Sequence, residues 1–152
     1  MARRARPASM QAKSPIRQDH PLRAGASIAL FEGRKVLLVR RKRPPYAGLW
    51  SLPGGKPEGE ETPRDAVMRE LKEETGLAAD IQGIVDRVRI AVESAVGDYR
   101  LTVFYGLPAG GRLKAGGDAE AAQWVHLDDI EALAMTPGTA DLIWIAAHKL
   151  RF

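Results

Sequence analysis

The sequence predicts a single α/β domain, residues 22–152, behind a basic tail of residues 1–21 that is read as flexible. Three observations lead there. Two apolar runs of strand-like composition, Ala24–Phe31 and Val36–Arg40, are separated by the turn signal Glu32-Gly33-Arg34. A helix with a chemical signal at each end fills the middle, from Pro63 to Thr75. Further strand-like stretches and an amphipathic helix follow it. Periodicity alone supports a mixed α/β domain in the order β-β-α-β-β-β-α and nothing narrower.

Taken in order, residues 1–21 are rich in Arg, Ala, Ser, Pro and Gln and show no apolar periodicity, so they have too little to bury to order themselves. After the first two strands comes Arg40-Arg41-Lys42-Arg43. It is either a solvated strand end or a group of phosphate-binding cations, a role for which the guanidinium fork is well suited. Pro44 to Gly55 is punctuated by prolines and glycines that set a rigid path, and Trp50 within it is read as core packing. The helix then starts on Thr62 as N-cap, Pro63 at its first position and Asp65 where a capping-box acid belongs. Gly76 closes it. Two longer strands are expected at Ile81–Glu93 and Leu101–Leu107, broken near Gly97-Asp98, and then a loop from Pro108 to Gly117. Gln123–Leu127 reads as a short strand and Asp128–Leu133 as the start of a short helix. In the final helix, Thr139–Leu150, Leu142, Ile143, Ala146 and Leu150 fall near helical spacing. His20, His126 and His148 are scattered and read as surface or capping groups.

Composition bounds the function. No apolar run approaches the length needed to span a bilayer, so no membrane partner is expected. With no cysteine there are no disulfides, thiolate metal sites or thiol nucleophiles, which fits a reducing, cytoplasmic setting. The net charge of +4 conceals an asymmetry: residues 1–43 hold twelve Lys/Arg and two acids, the rest eleven and seventeen. The basic character is thus concentrated ahead of and at the edge of the domain, and nucleic acid is disfavoured as a partner.

On a helical wheel Val67, Leu71 and Thr75 share one side with Met68 beside them, while Glu70, Glu73 and Glu74 gather on the other. Like charges at this spacing destabilise a helix by a few tenths of a kcal/mol per pair, so the cluster calls for a reason. A hard divalent cation supplies one, because Mg²⁺ and Mn²⁺ take oxygen ligands and bridge carboxylates to phosphates. No Gly-x-Ser-x-Gly nucleophile and no Gly-Lys-Ser/Thr phosphate loop offers a competing chemistry.

The loop before the helix sharpens this. From Gly55 the chain runs five residues to Glu61, seven more, then Arg69-Glu70-Leu71-Lys72-Glu73-Glu74-Thr75-Gly76-Leu77. This matches the Nudix box, and seven fixed letters at roughly 7% background each give about one chance in 10⁸ per register. The chain resembles the Nudix hydrolases, and the approach Gly48-Leu49-Trp50-Ser51-Leu52-Pro53-Gly54-Gly55 is similar to that of many members.

The resemblance implies an α/β/α sandwich around a mixed, partly curled β-sheet. It implies a hydrolase, dependent on Mg²⁺ or Mn²⁺, that cleaves a pyrophosphate linkage in nucleoside diphosphate-X or nucleoside triphosphate substrates by attack of water on phosphorus. By resemblance the Gly55 carbonyl, Glu70, Glu73 and Glu74 are metal ligands. Glu73, Glu74, Arg69, Glu61 and Glu120 form the catalytic set, in which Glu61 and Arg69 brace loop against helix. Asp118 and Glu120 are the two candidates for a further downstream acid, and Glu120 is the one placed in the set. Arg40, Arg41 and Arg43 are placed at the substrate. Substrate identity stays open: Ala91-Val92-Glu93 stands where ADP-ribose hydrolases of the family often carry a proline, and Tyr99 lies beyond the tyrosine of dinucleoside polyphosphate hydrolases. The expected partner is a nucleotide-type small molecule, with a homodimer left open. The alternative is a catalytically silent Nudix-like module that binds nucleotide or RNA; such modules commonly lose box glutamates, and this chain keeps them all.

Overall fold

The computed structural model describes residues 23–90 and 99–152. The tail, His20, Ala91–Val92–Glu93 and the Gly97-Asp98 break lie outside them.

Among the described residues seven strands form one mixed sheet: β1 (Arg23–Glu32), β2 (Lys35–Arg41), β3 (Trp50–Ser51), β4 (Gly54–Gly55), β5 (Leu77–Ile90), β6 (Tyr99–Gly111) and β7 (Ala119–His126). Its main order is β3-β2-β1-β6-β5, with β4 on β1 and β7 on β2. β1 runs parallel to β6 and antiparallel to β2 and β4. Helix α1 (Pro63–Thr75) follows β4, and a 3₁₀ turn (Leu127–Ala132) leads to helix α2 (Thr139–Lys149).

The central strands are apolar at successive positions because both faces are covered. On β1, Ala26, Ile28 and Leu30 face a core with Leu37 and with Ala66, Val67 and Leu71 of α1. The intervening Ala29 and Phe31 join Val36 and Leu38 in a second core against Ile130 and against Ile143, Ala146 and Ala147 of α2. A helix on each face makes this the α/β/α sandwich.

The ends of α1 follow from local chemistry. Thr62 Oγ1 accepts from the Asp65 N–H at 3.1 Å, and Asp65 Oδ2 accepts from the Thr62 N–H at 3.2 Å. Gly76 takes the left-handed conformation, φ 77°, and donates its N–H to the Lys72 carbonyl.

Several expected boundaries are corrected. β5 begins at Leu77, straight after the helix cap, not at Ile81. β6 runs on to Gly111, through the first part of the stretch read as a loop, because Pro108 and Gly111 pair with Ala79 and Leu77 across a bulge. β7 starts at Ala119 rather than Gln123, drawn in by pairing with Arg41. The turn after it is 3₁₀. The path from Pro44 to Gly55, irregular by composition, contains the two-residue strands β3 and β4.

Candidate active site

β4 sets the geometry. Gly54 and Gly55 pair with Ser27 and Ala26 of β1, and α1 packs against them. A Cβ on Gly54 would overlap the Ala26 carbonyl oxygen and lie 2.6 Å from Ser27 Cα. A Cβ on Gly55 would overlap the Glu70 carboxylate. The Gly54 N–H donates to Glu74 Oε1 at 3.0 Å.

The three helix carboxylates therefore differ. Glu74 is only 7% exposed, and burial pushes its carboxyl from 4.5 up to about 8. The negative charges of Glu70 and Asp118 push the same way, while the Gly54 N–H and Arg41 oppose them. Glu70 is also raised, chiefly by burial, against the stabilising contact of Arg69. Glu73 is half exposed at the helix surface.

Arg69 spans loop and helix. Its Nε and one terminal nitrogen donate to the two Glu61 oxygens at 2.8 and 3.0 Å, a bidentate fork. The latter nitrogen also donates to the Lys56 carbonyl at 3.0 Å, and the other reaches Glu70 at 3.1 Å and Glu73 at 3.4 Å. Glu61 in turn accepts the Glu58 N–H at 2.9 Å. The Arg69 contact, with that N–H, holds the Glu61 carboxyl below its ordinary value, and the guanidinium is raised in return.

The basic run is not brought to one place. Arg41 acts on Glu74 by charge and donates to the Pro45 carbonyl at 2.8 Å. Arg40 lies 5.6 Å from the centre of the Trp50 ring, on a tryptophan packed against the α2-side core. Its Nε donates to Glu120 at 2.5 Å. Glu120 is thus tied to Arg40, whereas Asp118 is the downstream acid whose charge reaches both Glu70 and Glu74. Asp118 pairs with Arg43 at 2.9 Å. Alternation along a strand was a signal that neighbouring Arg40 and Arg41 serve different faces. The donor role of the Gly54 N–H had no such signal.

Among the described residues no three acidic or histidine side chains stand close enough to form a ready-made cation cage. The donor set still fits a hard divalent cation. Its members are carboxylates, those of Glu70 and Glu74 raised chiefly by desolvation and further by neighbouring acids, beside a backbone with no side chain to obstruct approach.

Comparison with known proteins shows the family. The NUDIX domain model matches residues 21–143. An ADP-ribose pyrophosphatase of Methanocaldococcus jannaschii is 37% identical over 115 residues, 76% of this chain and 68% of that protein. A Mycobacterium tuberculosis protein with a provisional 8-oxo-dGTP diphosphatase name is 38% identical, over 78% of this chain and 82% of its own. The crystal structure of a MutT NUDIX hydrolase from Burkholderia pseudomallei superposes with a TM-score of 0.74 at 29% identity, covering 82% of this chain and 98% of that one. The chain belongs to the Nudix family, as a hydrolase of phosphoric anhydrides.

Proposed function

We propose that the protein cleaves the pyrophosphate linkage of a nucleoside diphosphate derivative, with Mg²⁺ or Mn²⁺, by attack of water on phosphorus. The observation that carries this is the pair of desolvated carboxylates Glu70 and Glu74, both reached by the charge of Asp118, with Glu70 directly against the side-chain-free Gly55. Glu70, Glu73, Glu74 and the Gly55 carbonyl would hold the cation. When bound, it supplies positive charge against the phosphate oxygens and makes water acidic enough to attack at neutral pH. Arg41 supports the substrate phosphates from the side of Glu74. Each downstream acid pairs with an arginine, but Asp118 fits the part of the further acid better than Glu120 because its charge acts on both Glu70 and Glu74. Arg69 and Glu61 keep loop and helix in one arrangement before substrate arrives.

The names of the relatives point to two substrate classes, ADP-ribose-like compounds and oxidised purine nucleotides. An ADP-ribose pyrophosphatase from Streptococcus suis, 25% identical with a TM-score of 0.67, joins the first class, and a Bacillus subtilis relative joins the second. The deciding experiment incubates the protein with ADP-ribose, dinucleoside polyphosphates, 8-oxo-dGTP and ordinary triphosphates in Mg²⁺ and identifies the products. Cleavage of ADP-ribose to AMP and ribose 5-phosphate, abolished by chelator and restored by Mg²⁺ or Mn²⁺, is expected. Turnover indifferent to chelation would overturn the proposal. Tight nucleotide binding without turnover would favour a silent module, against which the complete set of box glutamates argues.

The cellular setting follows the same reading. No described helix is long and apolar enough to cross a membrane, and the cysteine-free composition suits the cytoplasm. Light scattering at assay concentration decides between monomer and homodimer.

The Arg69 fork yields a further expectation. Lysine keeps the charge but cannot bond both Glu61 oxygens and the Lys56 carbonyl in one plane. Arg69→Lys should lower the maximal rate at least about tenfold, with a modest change in Mn²⁺ affinity because the glutamates remain. Steady-state rates and an Mn²⁺ titration of Arg69→Lys and Glu61→Gln check this; wild-type rates in both would show that the fork does not organise the site.

A further inference from the structure

The run Arg40-Arg41-Lys42-Arg43 offers four cations for substrate phosphates, yet Arg41 holds the Pro45 carbonyl and the other three hold the segment at residues 117–120. Arg40 takes Glu120, the Lys42 ammonium donates to the Gly117 carbonyl at 3.1 Å, and Arg43 takes Asp118 at 2.9 Å. The Lys42 backbone N–H adds a bond to the Asp118 carbonyl at 3.0 Å. One side of the segment before β7 is thus strapped to the end of β2. Its other side is strapped to the last turn of α1: Lys114 N–H donates to the Thr75 carbonyl at 2.8 Å and Gly116 N–H to the Glu74 carbonyl at 3.2 Å. The approach is so close that a Cβ on Gly116 would lie 2.7 Å from the Glu73 carbonyl oxygen. The backbone of this segment is fixed against the helix that carries the acids, whereas the Asp118 side chain is two-thirds exposed and gets its direction from Arg43.

We propose that Arg43 is a positioning residue of the hydrolytic site, acting on Asp118 and not on the substrate. The inference rests on the carboxylate–cation reading above. Arg43 pairs with the Asp118 carboxylate at 2.9 Å and holds it at the end of β2, from where its charge reaches Glu70 and Glu74. An isolated exposed pair is worth little to stability, so its consequence belongs in cation binding and rate. A phosphate-binding arginine would show itself differently, as a rise in KM with the cation affinity untouched.

The test compares full-length wild type, Arg43→Gln, Arg43→Lys, Asp118→Asn and the double variant Arg43→Gln/Asp118→Asn. Mn²⁺ binding is read by electron paramagnetic resonance on the protein alone, kcat and KM on ADP-ribose with Mg²⁺, and the melting temperature in chelator. Expected are a several-fold loss of Mn²⁺ affinity and of kcat in Arg43→Gln, KM within about twofold, partial recovery in Arg43→Lys, and a double variant no worse than Asp118→Asn. The melting temperature should stay put in all four variants. A raised KM with unchanged kcat and Mn²⁺ affinity in Arg43→Gln would overturn the proposal, as would multiplying effects in the double variant or wild-type behaviour of Arg43→Gln. Should wild type bind Mn²⁺ yet hydrolyse nothing in the panel, the hydrolase reading fails, while the Mn²⁺ titrations still decide whether Arg43 acts through Asp118.

Discussion

Glu74→Gln should lose at least about a hundredfold in rate, the scale of removing one preorganised charged group from a reacting centre, while the protein keeps its fold. The amide oxygen can still accept the Gly54 N–H, so the tie between β4 and α1 survives. What disappears is a buried carboxylate raised from 4.5 to about 8. The sign of the pH effect follows from linkage. Between those two values native, metal-free protein holds a proton that the unfolded chain has released, so stability falls as pH rises from about 4.5 to about 8. Glu70, also raised, adds to the same slope. Glu61 is lowered, and its contribution is lost only as pH falls below the ordinary carboxylate range. In chelator, wild type should therefore melt lower at pH 8.5 than at pH 6 (assay values of roughly this spacing bracket the raised carboxyl), and Glu74→Gln should flatten that difference. Added Mn²⁺ should restore more of the melting temperature at the higher pH, where cation and proton no longer compete. A sharp loss of melting temperature in Glu74→Gln with activity intact would make the side chain structural.

How far the sequence revealed this site depends on the range of each interaction. The α1 caps were legible because Thr62, Pro63, Asp65 and Gly76 act within a turn of themselves. The wheel placed Val67, Leu71 and Thr75 toward the core, and all three are buried. It also grouped Glu74 with Glu70 and Glu73, but depth depends on what packs opposite, and β4 covers Glu74 alone to that degree. Strand ends were less legible for the same reason. Pro108-Ala109-Gly110-Gly111 has loop composition, yet β5 supplies partners that hold it in β6. Residues Ala119 to Ala122 have weak strand propensity and are recruited by β2. The arginines show the limit most plainly. Composition identified a basic cluster and strand alternation separates Arg40 from Arg41, but only the fold shows that Arg41 acts on Glu74 while Arg40 lies against Trp50 and Arg43 on Asp118.

Gly54→Ala and Gly55→Ala should fail in opposite ways, although the two positions are adjacent and carry the same change. At Gly54 the added methyl meets backbone: the Ala26 carbonyl oxygen, and Ser27 Cα at 2.6 Å and Cβ at 2.8 Å. Backbone in the middle of β1 cannot step aside without disturbing its parallel pairing to β6 and the Ile28 N–H bond to the Pro53 carbonyl. Overpacking of this kind costs about 3 kcal/mol, or roughly 6–12 °C in melting temperature for a domain of this size. At Gly55 the three atoms nearest the methyl all belong to the far end of the flexible Glu70 side chain. That end can swing away, so stability should change by under about 1 kcal/mol. The swing takes Glu70 out of register with Glu74 and away from the Arg69 contact at 3.1 Å. Misplacing a site group by about 1 Å can cost on the order of a hundredfold in rate. Gly55→Ala should therefore keep its melting temperature and lose most of its turnover and Mn²⁺ affinity, whereas Gly54→Ala should lose stability first. Thermal melts in chelator, run beside kcat at 20 °C or so, well below either transition, separate the two. Equal melting temperatures, or an active Gly55→Ala, would show that the Gly55 backbone and the Glu70 carboxylate do not share the cation site.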